Sequence, residues 1–337
     1  MYDLEEERAV AWFKSRKADS VLVQAPDGIK PYLDTLVEAL EESGVRVIVS
    51  SSHAWGGCDV ALSEARSLGL RHIIHVGHHG PVRFRIPRDL DVLFIPAYVS
   101  TPYDPARETA KLLGDIGASK VGVVTVVQHA NFLKKFVDEL RGEGFNAFIC
   151  RGGNLPEGLV IGCDYSNPLS YGEVEAYVVL AGGVFHALGL SLLTEKPVIA
   201  ADPYTGKAKL VYELKKKVVT GRLNAVSKAI DAKRFTVIVS TKPGQKSAVT
   251  VENVVKMLKK AGRKVRLVSV DDVTWEKLYN LNPPDAYVNT ACPRLAIDDP
   301  EIFPAPVINP GELRHVLSGY VGDYSTKDAL YPLTFKK

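Results

Sequence analysis

Three cysteines stand out by their surroundings: Cys58 in AWGGCDV, Cys163 in VIGCDYSNP and Cys292 in NTACPRLAIDD. Gly56, Gly57, Gly162, Pro168 and Pro293 flank the thiols, which reads as tight, exposed turns. Such turns leave room for a bulky inorganic group and offer backbone N–H groups to sulfur. Thiolate is a soft ligand that suits zinc and iron–sulfur clusters. A structural zinc normally takes four protein ligands, and a catalytic zinc more often uses histidine. A four-iron cluster takes four cysteines when fully ligated, so three leave one iron open to a substrate or cofactor. These residues point to one redox-active iron–sulfur cluster bound by cysteines far apart in the chain. A lone free cysteine would read as buried packing; three in turns of one kind do not. The fourth, Cys150, ends a predicted strand, has no counterpart and is assigned to packing. No CxxC pair is present, against a zinc ribbon or a thioredoxin-type site, and the CxxxCxxC spacing of common radical enzymes is absent as well.

The elements that must position these thiols repeat three times: Ser20–Ser51, Lys120–Arg151 and Phe235–Val270. Each repeat opens with a β-branched run suited to a buried parallel strand. A polar or glycine/proline turn follows, then an amphipathic helix with Leu33, Leu36, Val37 and Leu40, or Phe132, Leu133, Phe136, Val137 and Leu140, or Val251, Val254, Val255 and Leu258. Gly44, Gly144 and Gly262 stop the helices and a second strand starts at once, a βαβ unit. Further strands are predicted at His72–Val76, Val92–Ala97, Ala176–Leu180, Pro197–Ala200, Ala286–Asn289 and Val307–Asn309. The expected fold is α/β: three related small domains with parallel sheets, spanning 1–105, 106–220 and 221–337, in a pseudo-three-fold arrangement with the cluster at its centre. Each cysteine is expected beyond the second strand of its unit, at the carboxyl ends where α/β sheets gather functional groups.

Other motifs are weaker. His72, His75, His78 and His79 in RHIIHVGHHGP read as a strand end and a polar turn, with His78 or His79 able to face the cleft. The loop Gln24–Pro31 joins strand to helix and is able to receive a carboxylate or phosphate; Ala201–Lys207 is similar. Asp298 and Asp299 read as solvated or capping. No Walker loop, GxGxxG turn or GxSxG elbow occurs. The chain has 337 residues, 46% hydrophobic and 24% charged, with a net charge of +3. Its basic runs, Lys215–Lys217 and Lys259–Arg266, are short, which argues against direct nucleic-acid binding. Its longest apolar runs are strand-length and the N-terminus lacks a secretory pattern, so no membrane association and a cytoplasmic location are expected.

VQAPDGIKP, WGGCDVA, VGHHGPV, VIGCDYSNP, ADPYTGK and above all YVNTACPRLAIDD resemble the archaeal diphthamide biosynthesis enzymes, the 2-(3-amino-3-carboxypropyl)histidine synthase family, from about Glu5 to Tyr320. One departure is His79, where the family often has serine after the glycine and histidine. The resemblance implies that Cys58, Cys163 and Cys292 ligate a [4Fe–4S] cluster. It implies S-adenosylmethionine (SAM) as substrate and cofactor, and a histidine of translation elongation factor 2 as acceptor. It further implies an electron donor and a homodimer. The implied chemistry is non-canonical and radical: one electron cleaves the bond from sulfur to the methionine-derived γ-carbon. The 3-amino-3-carboxypropyl radical adds to imidazole C2, the first step of diphthamide biosynthesis. SAM contacts are expected from Gln24, Pro26, Asp27 and Gly28 in the Gln24–Lys30 loop and from the turns beside the cysteines. The rivals are a quinolinate-synthase-like [4Fe–4S] dehydratase and condensing enzyme, a non-catalytic partner subunit, and a plain ligand-binding α/β protein.

Overall fold

In the computed structural model the described residues are 2–330; the end of the third expected domain, 331–337, lies outside them. The protein is α/β with three parallel sheets. The first has the spatial order Arg46–Val49, Ser20–Gln24, His72–Val76, Asp91–Ile95. In the second the order is Asn146–Ile149, Lys120–Thr125, Ala176–Leu180, Val198–Asp202, with an antiparallel edge strand Lys207–Leu210. The third runs Lys264–Val270, Arg234–Ser240, Ala286–Asn289, Val307–Ile308. Counted along the chain, the parallel order is second, first, third, fourth in every sheet. Each sheet thus has a switch point between its first and third strands, where α/β sheets open a crevice.

The apolar runs of these strands are buried on both faces, as parallel sheets require. Val21, Val23 and Ile74 pack under the helices on one face of the first sheet, and Leu22 and Ile73 on the other. Val123 and Val124 divide likewise in the second sheet, and Val237 and Ile238 in the third. The repeat helices are Asp34–Glu42, Ala130–Gly142 and Ala248–Lys260. Their stops, Gly44, Gly144 and Gly262, have φ of +87°, +94° and +72°, a region that costs glycine little. The long helix Tyr212–Ile230 belongs to two cores: Val218 and Val219 pack on the second sheet, Val226 and Ala229 on the third. The expected boundary between 220 and 221 falls inside it. Its own Arg222 forms a buried ion pair with Glu312, donating from Nε to Oε1 at 3.0 Å.

The strand order revises where the thiols stand. Cys58 and Cys163 lie between the second and third strands of their sheets, as expected. Cys292 does not: it follows the third strand, Ala286–Asn289, directly. The corresponding place after the third strand holds the loop residues Gly77, His78 and His79 in the first sheet, and Gly183 followed by the helix start Phe185 and His186 in the second. Ala201–Lys207, read as a possible anion loop, is instead the hairpin turn into the antiparallel edge, with Asp202 accepting the N–H of Tyr204 at 2.8 Å. Among the described residues no helix is long and apolar enough to cross a membrane.

Candidate metal centre

The Cys58 loop is built by long-range contacts. Gln24, buried at the end of the first strand, donates from its amide nitrogen to the carbonyl of Asp59 at 2.9 Å. Its amide oxygen accepts the N–H of Ala61 at 2.9 Å and lies 2.9 Å from Nδ1 of His75. From the third sheet, the N–H of Gly244 donates to the carbonyl of Cys58 at 2.8 Å. A Cβ at position 244 would stand 2.0 Å from the Val82 carbonyl oxygen and 2.7 Å from Cys58 Cα, so only glycine allows this approach. Gln245 then donates to Cys58 Sγ at 3.5 Å. Beside it Lys242 bridges Asp59 at 2.8 Å and Asp272 at 3.0 Å, and Trp55 Nε1 donates to Asp272 at 2.8 Å.

Cys163 sits in a short turn closed by the bridge between Ile161 and Asp164. Arg83 donates to its carbonyl at 3.1 Å. The Cys292 loop is held within its own sheet: Asn289 donates to the Cys292 carbonyl at 2.8 Å and to Asn309 at 2.9 Å, and Asn309 donates to the Pro293 carbonyl at 2.8 Å. Two residues on, the buried Arg294 forms a fork with Asp298 at 2.6 and 2.7 Å and donates to Tyr165 at 3.3 Å. Its guanidinium lies 3.7 Å from the ring centroid of Phe185. Asp298, read from the sequence as solvated or capping, is thus the counter-ion of a buried arginine.

The three thiols, one from each sheet, are half-buried and line two cavities in common, of about 440 Å³ and about 210 Å³. Burial pushes the Cys58 thiol up to about 11 and Cys292 to about 12, and raises Cys163. The Gln245 hydrogen bond on Cys58, and the charges of Arg83 and Arg294 near Cys163, pull toward thiolate. Metal binding must therefore displace protons here. Among the described residues no three His, Cys, Asp or Glu side chains converge to hold a single metal ion. A zinc ion needs its sulfurs about 2.3 Å from one point; the thiols here face a shared space, and this soft, three-fold donor set fits a cluster of several irons. Cys150 is fully buried, and burial alone pushes its thiol to about 12. It packs in the core of the second sheet, as assigned.

The remaining site expectations divide. None of Gln24, Pro26, Asp27 and Gly28 lines either cavity. Gln24 is spent on the Cys58 loop, Asp27 pairs with Lys30 at 2.7 Å, and Pro26 packs against Gly77. His75 is buried, with Nε2 2.8 Å from Nδ1 of His78, and His78 and His79 line the smaller cavity. Burial holds His78 down to about 4 and His186 to about 3, so both rings are neutral at physiological pH. Phe185, His186, Gly244, Gln245 and Arg83 carry no local sequence signal; only the fold brings them to the cysteines. Arg294 lies in the NTACPRLAIDD stretch, but nothing in that stretch marks it for burial beside Tyr165 and Phe185.

An α/β protein that brings one thiol from each of three parallel sheets to shared cavities has the soft donor set that a thiolate-bound cluster requires. The chain belongs to the diphthamide synthesis protein family, whose model matches residues 25–326. Its relatives are transferases. It is 33% identical to 2-(3-amino-3-carboxypropyl)histidine synthase of Pyrococcus horikoshii, over 98% of this chain and 94% of that one. It is 27% identical to subunit 1 of the corresponding synthase of Schizosaccharomyces pombe, over 92% and 72%. The crystal structure of Dph2 from Pyrococcus horikoshii with a 4Fe–4S cluster superposes with a TM-score of 0.85 and 32% identity, over 100% of this chain and 97% of that one.

Proposed function

We propose that this protein transfers the 3-amino-3-carboxypropyl group of SAM to C2 of a histidine in translation elongation factor 2, with a [4Fe–4S] cluster on Cys58, Cys163 and Cys292. The observation that carries the reading is the arrangement of these thiols: one from each sheet, and all three on both cavities. When bound, such a cluster supplies one electron and an iron without a protein ligand. The chain's own residues do the rest. The Gly244 and Gln245 contacts hold Cys58, the Asn289–Asn309 pair holds Cys292, and Arg83 ties the Cys163 turn to the first sheet. The cavity walls keep the reacting γ-carbon away from water and orient SAM so that one chosen sulfur–carbon bond faces the centre. The three-domain division at 1–105, 106–220 and 221–337, a homodimer, a cytoplasmic setting and a separate electron donor belong to the same proposal. SAM is taken to contact the turns beside the cysteines. The loop Gln24–Gly28 supports it at one remove, through the hydrogen bonds of Gln24 to the Cys58 loop.

The test is anaerobic reconstitution with iron and sulfide, a reductant, SAM labelled in its aminocarboxypropyl carbons, and archaeal elongation factor 2. The expected result is label on the factor and release of methylthioadenosine. SAM left intact under these conditions would sink the proposal, and would favour condensation chemistry of the quinolinate-synthase kind.

A further inference from the structure

The smaller cavity carries a feature that ligation of a cluster does not use. Phe185 is 39% exposed although it is a large apolar ring among the cysteine loops. One face is covered by Arg294, at 3.7 Å. Its edge abuts Gly162, where a Cβ would stand 2.6 Å from the ring. His186 stands edge-on to it, centroids 4.9 Å apart and planes at 80°. The Nδ1 atom of His186 is buried and has no hydrogen-bond partner. A buried polar atom of this kind costs free energy until a partner arrives. A flat aromatic wall beside an unpaired imidazole nitrogen recognises a flat nitrogen heterocycle.

Size decides which one. Pockets for drug-sized ligands such as SAM run from about 300 to 1,000 Å³. This cavity has about 210 Å³, room for a single side chain. It shares all three thiols with the larger cavity, so a ring seated in it lies beside whatever binds at the cysteines. We propose that the Phe185–His186 corner seats the imidazole of the acceptor histidine, Phe185 stacking on the ring and His186 hydrogen-bonding one of its nitrogens. This rests on the function proposed above, and deepens it by naming the acceptor's place.

Two measurements test it. In the first, cluster-loaded protein without SAM is titrated with 4-methylimidazole and binding is followed by saturation-transfer NMR. Binding is expected in the parent protein and its loss in Phe185→Ala and His186→Leu. No binding, binding unchanged in both variants, or competitive displacement by methylthioadenosine would overturn the assignment; the last would give the corner to adenine. In the second, iron content, reductive SAM cleavage and label transfer to elongation factor 2 are compared across variants. His186→Leu is expected to keep iron and SAM cleavage within about twofold of the parent while transfer falls about tenfold or more, the loss of one buried hydrogen bond. His186→Gln, which keeps a polar partner, is expected to recover part of the transfer. Cleavage and transfer falling together would overturn the proposal. A parent protein that binds 4-methylimidazole yet never cleaves SAM would instead condemn the function and leave the heterocycle seat standing.

Discussion

The loops of Cys58 and Cys292 face the same cavities but are held in opposite ways. The Cys58 loop, rich in glycine, takes its shape from outside: Gln24 and His75 below it, Gly244, Gln245 and Lys242 from the third sheet. The Cys292 loop follows a strand directly and is held from within by Asn289 and Asn309. One thiol is thus positioned by docking between sheets and the other by the fold of a single sheet. The repeated βαβ unit offers two sites for a thiol, before or after the third strand. A common centre is reached without equivalent positions.

The largest effect expected is on the cluster itself. Alanine at Cys58, Cys163 or Cys292 should abolish stable iron binding after reconstitution, read from iron content and visible absorption, whereas Cys150→Ala should keep iron. Iron lost only in Cys150→Ala would break the assignment.

A smaller effect separates the two loops. Gly244→Ala forces a methyl against the Val82 carbonyl and Cys58; overpacking of this kind costs about 1–3 kcal/mol. Because the strain falls between sheets, iron retention should drop more than thermal stability. Asn289→Ala leaves buried groups unpaired at about 1–3 kcal/mol, and should lower the Tm of cluster-free protein outright. Equal loss of Tm in both variants would erase the distinction.

A third test is pH. Burial holds His129 down at about 4 against an ordinary value near 6.5. The unfolded chain therefore binds the extra proton first as pH falls. The stabilisation is complete above about pH 6.5 and is lost progressively toward pH 4, on the order of 3 kcal/mol in all. His129→Phe should flatten the dependence of Tm on pH over this window; an unchanged slope would contradict it.

Much of this was legible beforehand. Local patterns set the three helices, their glycine stops and nearly every strand, because burial period and the left-handed stop are properties of neighbouring residues. The thiols announced themselves by residue type. What stayed hidden was long-range. Gln24 read as a ligand contact because a loop after a strand often is one; its amide is taken by Asp59 and Ala61. Asp298 read as solvated because its arginine is a partner only once that stretch turns helical. Phe185 and Gly244 have no pattern at all; the partners that give them a place, Arg294 and Cys58, come from other sheets.

The helix Tyr212–Ile230 has a last consequence. Its first half is a wall of one core and its second half a wall of the next. Neither sheet sheds its half without breaking a continuous backbone hydrogen-bond ladder. The second and third sheets should therefore open together in amide exchange, as one cooperative unit. The first sheet shares no helix with that unit and is joined to it through loops and side chains. The thiol it carries, Cys58, is kept at the centre by the contacts of Gly244, Gln245 and Lys242 with its loop.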